Sequence, residues 1–435
     1  MKRTYLIKAA AFFLSLCLLC LTFGCSAEPQ EQSDLPTLTV WVLSDEYKAE
    51  IERAFVSDFP SISWGLDVIT VGASEVGEKL AGASESGVGA PDIFMLSPDM
   101  LCEYVNSDLT ADLGALGISL RESSHYGYTI DAGTDSSGIL RAVCYQPDPG
   151  LFFYRRSMAK VYLGTDDPDE IQAMLCDWDT FAQTARTIYS ASNGKTCMTV
   201  GFEGMMMPFM ATDSEGWVSQ EGTLAISDRA DEFMEYAAAL AADGLVYDAA
   251  QWSDAWVAGI SDTQSVFGYF SSGLGMKNVL KKACGGTVSG DGSYGDWAAV
   301  EGPCPYNWGG CWFAVSSQCD MQSEALTFLR YFISEEEAMK KNALISGYFC
   351  ASRNVVDSIK FDTQFCDSFL SGQNYYNLLS DIAGRVQLGQ VTKYDSVADL
   401  AFAECVRNYA FGRKSYEQAT DDFMKTMRAA YPHLG

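Results

Sequence analysis

The stretch Arg141–Arg156, RAVCYQPDPGLFFYRR, constrains the fold more than any other part of the chain. Ala142-Val143-Cys144-Tyr145 is a short strand-forming run, and Leu151-Phe152-Phe153-Tyr154 is a second. Pro147 and Pro149 stand between them. Each lacks an N–H and fixes φ, so the extended run is expected to break there. Two extended segments joined by a stiff Pro-Asp-Pro link suit a crossover between two rigid bodies. A mobile loop would instead be rich in Gly and Ser. The competing local reading is a kinked edge strand inside one domain.

The N-terminus narrows the setting. Lys2, Arg3 and Lys8 precede Ala9–Phe23, which is apolar apart from Ser15 and Thr22. That core falls short of the ~20 residues of a bilayer span and reads as a signal peptide, residues 1–24. Thr22-Phe23-Gly24-Cys25 resembles a bacterial lipobox, although Thr22 and Phe23 depart from its usual residues. The resemblance implies a lipid on Cys25, with residues 25–36 as a tether. Ordinary cleavage near Ala27 is the alternative.

The whole chain of 435 residues carries a formal charge of −28, and the leader contributes only basic residues. Such a surface repels phosphate backbones, so a nucleic-acid partner is not expected. At 48% hydrophobic and 20% charged residues, the chain has the balance of a folded protein with room for two cores. Of 14 cysteines, Cys17, Cys20 and Cys25 belong to the leader and its cleavage site. The remaining 11 are scattered and odd in number, which suits small buried hydrophobes. Cys304 with Cys311 or Cys319 is the local disulfide candidate. With only His125 and His433, a Cys/His zinc site has little to draw on, and no metal or cofactor is expected.

Leu38–Leu43 reads as a strand covered on both faces. Ser44 is placed to cap a helix with Asp45 and Glu46 in its first turn and Tyr47, Ile51, Ala54, Phe55 and Phe59 on one face, ending at Pro60. A strand at Trp64–Val71, a helix near Glu75–Ala83 and a strand at Ile93–Leu96 follow. This alternation predicts an α/β fold with a parallel sheet. Later helices carry Trp178, Phe181, Ala185 and Ile188, and then Phe233, Ala237 and Leu240 from Ser227 to a stop at Gly244. Ser265–Phe270 reads as a strand and Cys284–Asp296 as a polar turn. The helix Ser323–Ile333 shows a stripe of Leu326, Leu329, Phe332 and Ile333. Ser334-x-x-Glu337 and Ser415-x-x-Gln418 match capping boxes. Leu400–Phe411 is helical up to Gly412.

No nucleophile elbow, H-E-x-x-H, Walker loop or dinucleotide fingerprint is present, so no catalytic residue is assigned and the chain reads as a binder rather than an enzyme. The loops offer what a neutral polar solute needs. Trp308 and Trp312, with Tyr145 and Phe270, provide rings for the apolar faces of a sugar. Asp45, Asp99 and Asp148 accept hydrogen bonds from hydroxyls, with Ser44 beside the first. Gly309-Gly310 permits close approach of backbone. A core position is the competing reading for each ring, and helix capping for each Asp near a strand end.

In order along the chain, LTVWVLSDEYKAEIERAFVSDFP, GVGAPDIFMLSPDML, YQPDPGLFFYRRSMAKVYLG, CDWDTFAQTA, NWGGCWFAVSSQCDMQSEALTFLRYFIS and SYEQATDDFMKTMRAAYP resemble segments of the family 1 extracellular solute-binding proteins, the carbohydrate receptors of ABC importers. The resemblance implies a two-lobed periplasmic-binding-protein-like fold (type II), with mostly parallel sheets flanked by helices. Residues 37–146 plus 316–356 would form lobe 1, and 147–315 plus 357–435 lobe 2. Crossovers are implied near Tyr145–Pro149, Trp312–Ser316 and Asn354–Ile359. It places Asp45 and Asp99 at ligand-facing strand ends and Trp308 in the cleft loop. Leu274 stands where many members have Trp, which removes one stacking platform. The implied function is a monomeric, lipid-anchored receptor on the extracytoplasmic side of the cell membrane that delivers a carbohydrate, an oligosaccharide, to ABC permease subunits. Alternatives are a receptor for a peptide or polyamine, a surface glycoside hydrolase, and an adhesion or sensor protein.

Overall fold

The computed structural model describes residues 35–434 apart from 87–88, 122–123, 214, 220–221, 263 and 390. The segment expected to be a signal peptide, Cys25 and the expected tether as far as residue 34 lie outside the described residues. The chain divides into a small unit holding residues 35–37 and Ser61–Leu66, and a large one of Leu38–Pro60 and Asp67–Gly435.

Nine strands are described: β1 Thr37–Val42, β2 Gly65–Thr70, β3 Ile93–Leu96, β4 Ala142–Arg155, β5 Thr199–Val200, β6 Val246–Tyr247, β7 Gly268–Ser272, β8 Trp297–Val300 and β9 Asn307–Val315. The N-terminal alternation forms as expected, with β1 and β3 parallel through Val40 with Ile93 and Trp41 with Phe94. The rest differs. β9 runs antiparallel to both β3 and β4, and β4 is antiparallel to β7 and β8, so the sheet is mixed rather than mostly parallel. Among the described residues the order is β2-β1-β3-β9-β4-β7, with β8 also pairing β4.

β4 corrects the expectation of a break at the prolines, because it is one strand of 14 residues. Gln146, Pro147 and Asp148 pair with Cys311, Gly310 and Gly309 on one side, and no described strand lies on the other. A missing N–H therefore costs no ladder bond on the open side. Register shifts at Cys144/Gln146 and Asp148/Pro149 absorb the fixed φ values. Beyond Pro149 the strand changes partners, and Gly150–Tyr154 pairs β7 while Phe152–Arg155 pairs β8. Gly150 is required there, since a Cβ would fall inside the ring of Tyr306. Gly310 takes φ +119°, with a Cβ position crowding the Gln146 carbonyl.

The second half of β4 is covered on both faces, and its residues alternate between two cores. Phe152 and Tyr154 pack with Phe181, Phe202, Phe233 and Phe402, whereas Leu151 and Phe153 pack with Trp256, Tyr269, Trp297 and Phe369. A third core surrounds β3, β9 and the start of β4, with Phe94, Leu96, Cys144 and Trp312. Phe55 lies 5.4 Å from the ring centroids of both Phe328 and Tyr331. Full burial of one such ring stabilises the fold by about 1.5–3 kcal/mol.

Several helix ends follow the expected chemistry. The Ser44 Oγ accepts from the Tyr47 N–H, Ser227 caps Asp228–Ala242, and Ser415 with Gln418 closes a reciprocal box on Tyr416–Ala430. The Ser334 box does not form. Its N–H donates to the Arg330 carbonyl and ends the Gln322–Ile333 helix, leaving Glu335 ahead of the next one. On Gln322–Ile333, Ala325 and Phe328 are buried and Leu326 only half-buried, which rotates the expected stripe. The strand expected at Ser265–Phe270 lies at Gly268–Ser272, and the implied crossover at Asn354–Ile359 is the helix Arg353–Ile359. No disulfide joins the described cysteines. The Cys304 thiol instead donates to the Pro208 carbonyl at 3.0 Å.

Candidate functional site

A cavity of about 390 Å³ opens where four parts of the chain meet. The first is the start of the Pro98–Val105 helix, which brings Asp99. The second is the Glu203–Met210 helix with the loop after it, bringing Met206, Met207, Met210, Asp213 and Trp217. The third is the start of β9, bringing Asn307, Trp308 and Gly309. The last is residues 387–399, bringing Leu388, Asp395 and Asp399. A wider concavity of about 470 Å³ near Asp112, Ile118 and Thr134 is more open and has no aromatic lining. It lacks the enclosed, convergent polar groups of a small-molecule site.

Local sequence accounts for the placement. Pro98 suits the first turn of its helix, and Asp99 beside it faces the positive end of the helix dipole. The Ser97 hydroxyl donates to Asp99 Oδ1. Asp395 and Asp399 are four residues apart on the Asp395–Ala410 helix, so both point from one face. Asp395 accepts from the N–H and hydroxyl of Thr392 at 2.8 and 2.5 Å. Asp399 Oδ1 accepts from the Trp217 indole N–H at 2.8 Å. Asp213 accepts from the Glu215 N–H at 3.0 Å and the Ser227 hydroxyl at 2.5 Å. Trp308 is half-buried, its ring centroid 6.3 Å from that of Tyr306.

Burial pushes the Asp399 carboxyl up to about 7, partly opposed by the Trp217 N–H and reinforced by the charges of Asp395 and Asp99. Asp395 is raised too, by burial first and by Asp99 last, against its bonds to Thr392. Asn307 donates from Nδ2 to the Gly309 carbonyl, while its Oδ1 is buried without a hydrogen-bond partner.

Of the expected site residues, the structure brings Asp99 and Trp308 together at this cavity. The others lie elsewhere. Ser44 is occupied as a helix cap, and Asp45 is exposed, accepting from the Thr70 hydroxyl at 2.6 Å. Tyr145 is buried against Phe313 and Phe332, with centroids 5.1 and 5.2 Å away. Phe270 is 2% exposed, packed against Phe152 and Phe181, and Trp312 is fully buried with its N–H donating to the Thr129 carbonyl at 3.0 Å. Asp148 is buried, bonded to the Ser272 side chain and the Leu274 N–H. Leu274 thus serves Asp148 through its backbone and does not line the cavity. Sequence reasoning missed Met206, Met207, Met210, Asp213, Trp217, Asp395 and Asp399. The Met205-Met206-Met207 run and the Asp395/Asp399 spacing were the available signals.

The mixed α/β fold thus holds a cavity within the size range of small-molecule sites. The family profile described as bacterial extracellular solute-binding protein matches residues 56–364, and the chain belongs to that family. No curated protein sequence matches the chain significantly. Among solved structures, an extracellular solute-binding protein of family 1 superposes with a TM-score of 0.75 at 17% identity, covering 91% of this chain and 99% of that one. The sugar-binding protein MalE of Xanthomonas citri gives 0.70 at 15% identity, with 92% and 100% covered. The galacto-N-biose-/lacto-N-biose I-binding protein of the ABC transporter of Bifidobacterium longum, in complex with lacto-N-biose, gives 0.68 at 17% identity, with 92% and 98% covered. These likenesses show a periplasmic-binding-protein-like fold.

Proposed function

We propose that the protein is a lipid-anchored extracytoplasmic receptor that takes a carbohydrate, an oligosaccharide, into this cavity and delivers it to an ABC importer. The observation that carries this reading is the cavity itself, where the half-buried Trp308 ring stands beside carboxylates in a chain of the solute-binding family. Indole faces cover the apolar faces of a sugar, and the oxygens accept from its hydroxyls. The sugar-binding neighbours lend further support.

If residues 37–146 plus 316–356 form one lobe and 147–315 plus 357–435 the other, Asp99 comes from the first and Trp308, Trp217, Asp395 and Asp399 from the second. A solute touching both then shifts an open–closed equilibrium toward closed, with β4 and β9 as the crossings. Monomeric action suffices for this mechanism. A thermal-shift screen of the full mature chain tests the reading, since a bound solute raises apparent stability. Stabilisation by oligosaccharides supports it, and stabilisation by peptides alone overturns it.

Trp308→Ala is expected to weaken sugar binding by about 1–3 kcal/mol, the worth of a buried apolar contact. The melting temperature without ligand should change little, because the ring is only half-buried. Calorimetric titration and a melt of the free protein check both parts. A large fall in melting temperature with unchanged affinity would place Trp308 in the core.

No helix among the described residues is long and apolar enough to cross a membrane. Attachment therefore rests, in this proposal, on Cys25, because two or more acyl chains hold a protein stably where one does so only marginally. Cys25→Ser is expected to release the mature chain or leave the signal uncleaved, read by fractionation and gel mobility. A variant processed and membrane-bound like the parent sinks the anchor.

A further inference from the structure

We infer that Glu50 and Lys277 are the two halves of an ion pair that stands open in this structure and closes when the π-helical turn Met276–Leu280 rewinds as α-helix. The pair is a latch between the Asp45–Asp58 helix and the segment that follows β7. It goes beyond the receptor reading and needs no particular solute. Glu50 lies on the buried face of its helix, 7% exposed, and its Oε1 has no hydrogen-bond partner among the described residues. A carboxylate oxygen left in that position is costly. Lys277 is half-buried and makes no ion pair among the described residues. Its Nζ instead sits over the Tyr348 ring, 4.5 Å from the centroid. Tyr348 and Glu50 line one small cavity of about 20 Å³, so a single side chain stands between the cation and the orphaned oxygen. Burial raises the Glu50 carboxyl above its ordinary range, against the Tyr348 hydroxyl and the Lys277 charge. Burial lowers the Lys277 amine in turn, and Glu50 is the charge that opposes it. Arg53 is exposed and acts on Glu50 more weakly than Lys277 does.

The segment that carries Lys277 is able to take up movement. Met276–Leu280 is a π-turn between the α-helical turns Gly273–Gly275 and Lys281–Ala283. A π-turn holds one residue more than an α-turn, so recovering the α form rotates one end of the helix against the other by about 100°. Different parts of the fold hold the two ends. Ser272 of β7 caps the first end by accepting from the Gly275 N–H, and the Leu274 N–H donates to Asp148 on β4. At the other end Lys281 is paired with Asp367 at 3.0 Å. A displacement of β4 relative to Asp367 is therefore absorbed at Met276–Leu280, where it carries the Lys277 amine off the Tyr348 ring and toward Glu50. A buried ion pair adds little net stability, because desolvation offsets the attraction. The open and closed forms thus stand close in free energy, as a two-state element requires.

The test puts 3-fluorotyrosine in place of Tyr348 alone, by stop-codon suppression, and reads the full mature chain by fluorine NMR. The resonance differs with the amine over the ring and with the amine drawn away. A latch therefore gives two signals, seen directly or by saturation transfer. Lys277→Met and Glu50→Gln are each expected to lower the population of the second form at least ~10-fold, leaving one signal. Glu50→Gln should not lower the melting temperature, since the amide keeps the shape and removes a buried charge. A single signal in the parent chain, with no saturation transfer, overturns the latch. Two signals that persist in Glu50→Gln overturn it as well, because the exchange then has another cause. A fall in the melting temperature of Glu50→Gln also overturns it, since the charge then already holds this form together.

Discussion

Trp312→Ala is expected to lower the free energy of unfolding by about 3–5 kcal/mol, the usual cost of deleting a buried Trp. Trp312 is fully buried in the middle of β9, paired with Leu96 on β3 and Cys144 on β4. Alanine leaves a cavity on the face of the sheet, in the core that Trp312 shares with Phe94, Leu96 and Cys144. It also strips the Thr129 carbonyl of its indole donor, and a buried acceptor left unmade adds about 1–3 kcal/mol at most. The comparison with Trp308→Ala is the informative one, because the two rings lie four residues apart on one strand. Urea unfolding of both variants separates them. A Trp312→Ala variant as stable as the parent would show that the ring does not sit in this core.

Asp148→Asn should raise stability at neutral pH. Burial pushes the Asp148 carboxyl up to about 6 from an ordinary value of 3.8, against bonds from the Ser272 side chain and the Leu274 N–H that favour its charge. The folded state therefore holds the proton more tightly than the unfolded chain does. The protonated group costs nothing extra below the unfolded value. As pH rises through about 6 the folded protein must ionise a buried group, and stability is lost. A shift of this size corresponds to about 3 kcal/mol at pH 7, an upper bound for the gain on replacement by the neutral amide. The advantage of Asp148→Asn over the parent should shrink between about pH 6.5 and pH 4 and vanish below. A stability difference that stays constant from pH 4 to pH 7 would contradict this account.

Local chemistry made much of the fold legible. The caps at Ser44, Ser227 and Ser415 and the stop at Gly244 are sequence signals that act within one turn, so they survive whatever the rest of the chain does. The run Leu151–Tyr154 announced an extended segment, and its place between two cores is visible only in the structure. The prolines misled because their tolerance depends on which side of β4 is open, and no local signal reports that. Ser334 misled because its backbone, at ψ −23°, stays with the end of the preceding helix and lacks the extended conformation of an N-cap, which Glu335 takes instead. At the site, Trp308 was readable from the glycines beside it. Asp395 and Asp399 were not, because two acids at helical spacing normally mark a solvated face. What buries them is Trp217 and the neighbouring loop, brought in from far along the chain. Phe270 and Trp312 look like Trp308 in sequence, and only the strand register shows that their rings turn inward.

β9 lies between β3 and β4, although it is the last of the described strands. Until residues 307–315 have emerged, β3 and β4 each present an unpaired edge, and the two cannot close on one another. Loop closure over that distance is slow, and bare edges are where chains stick to their neighbours. No N-terminal fragment that stops short of Val315 therefore contains a finished sheet. The pairing on either side of β9 therefore waits until residues 307–315 have been made, however early the neighbouring strands appear.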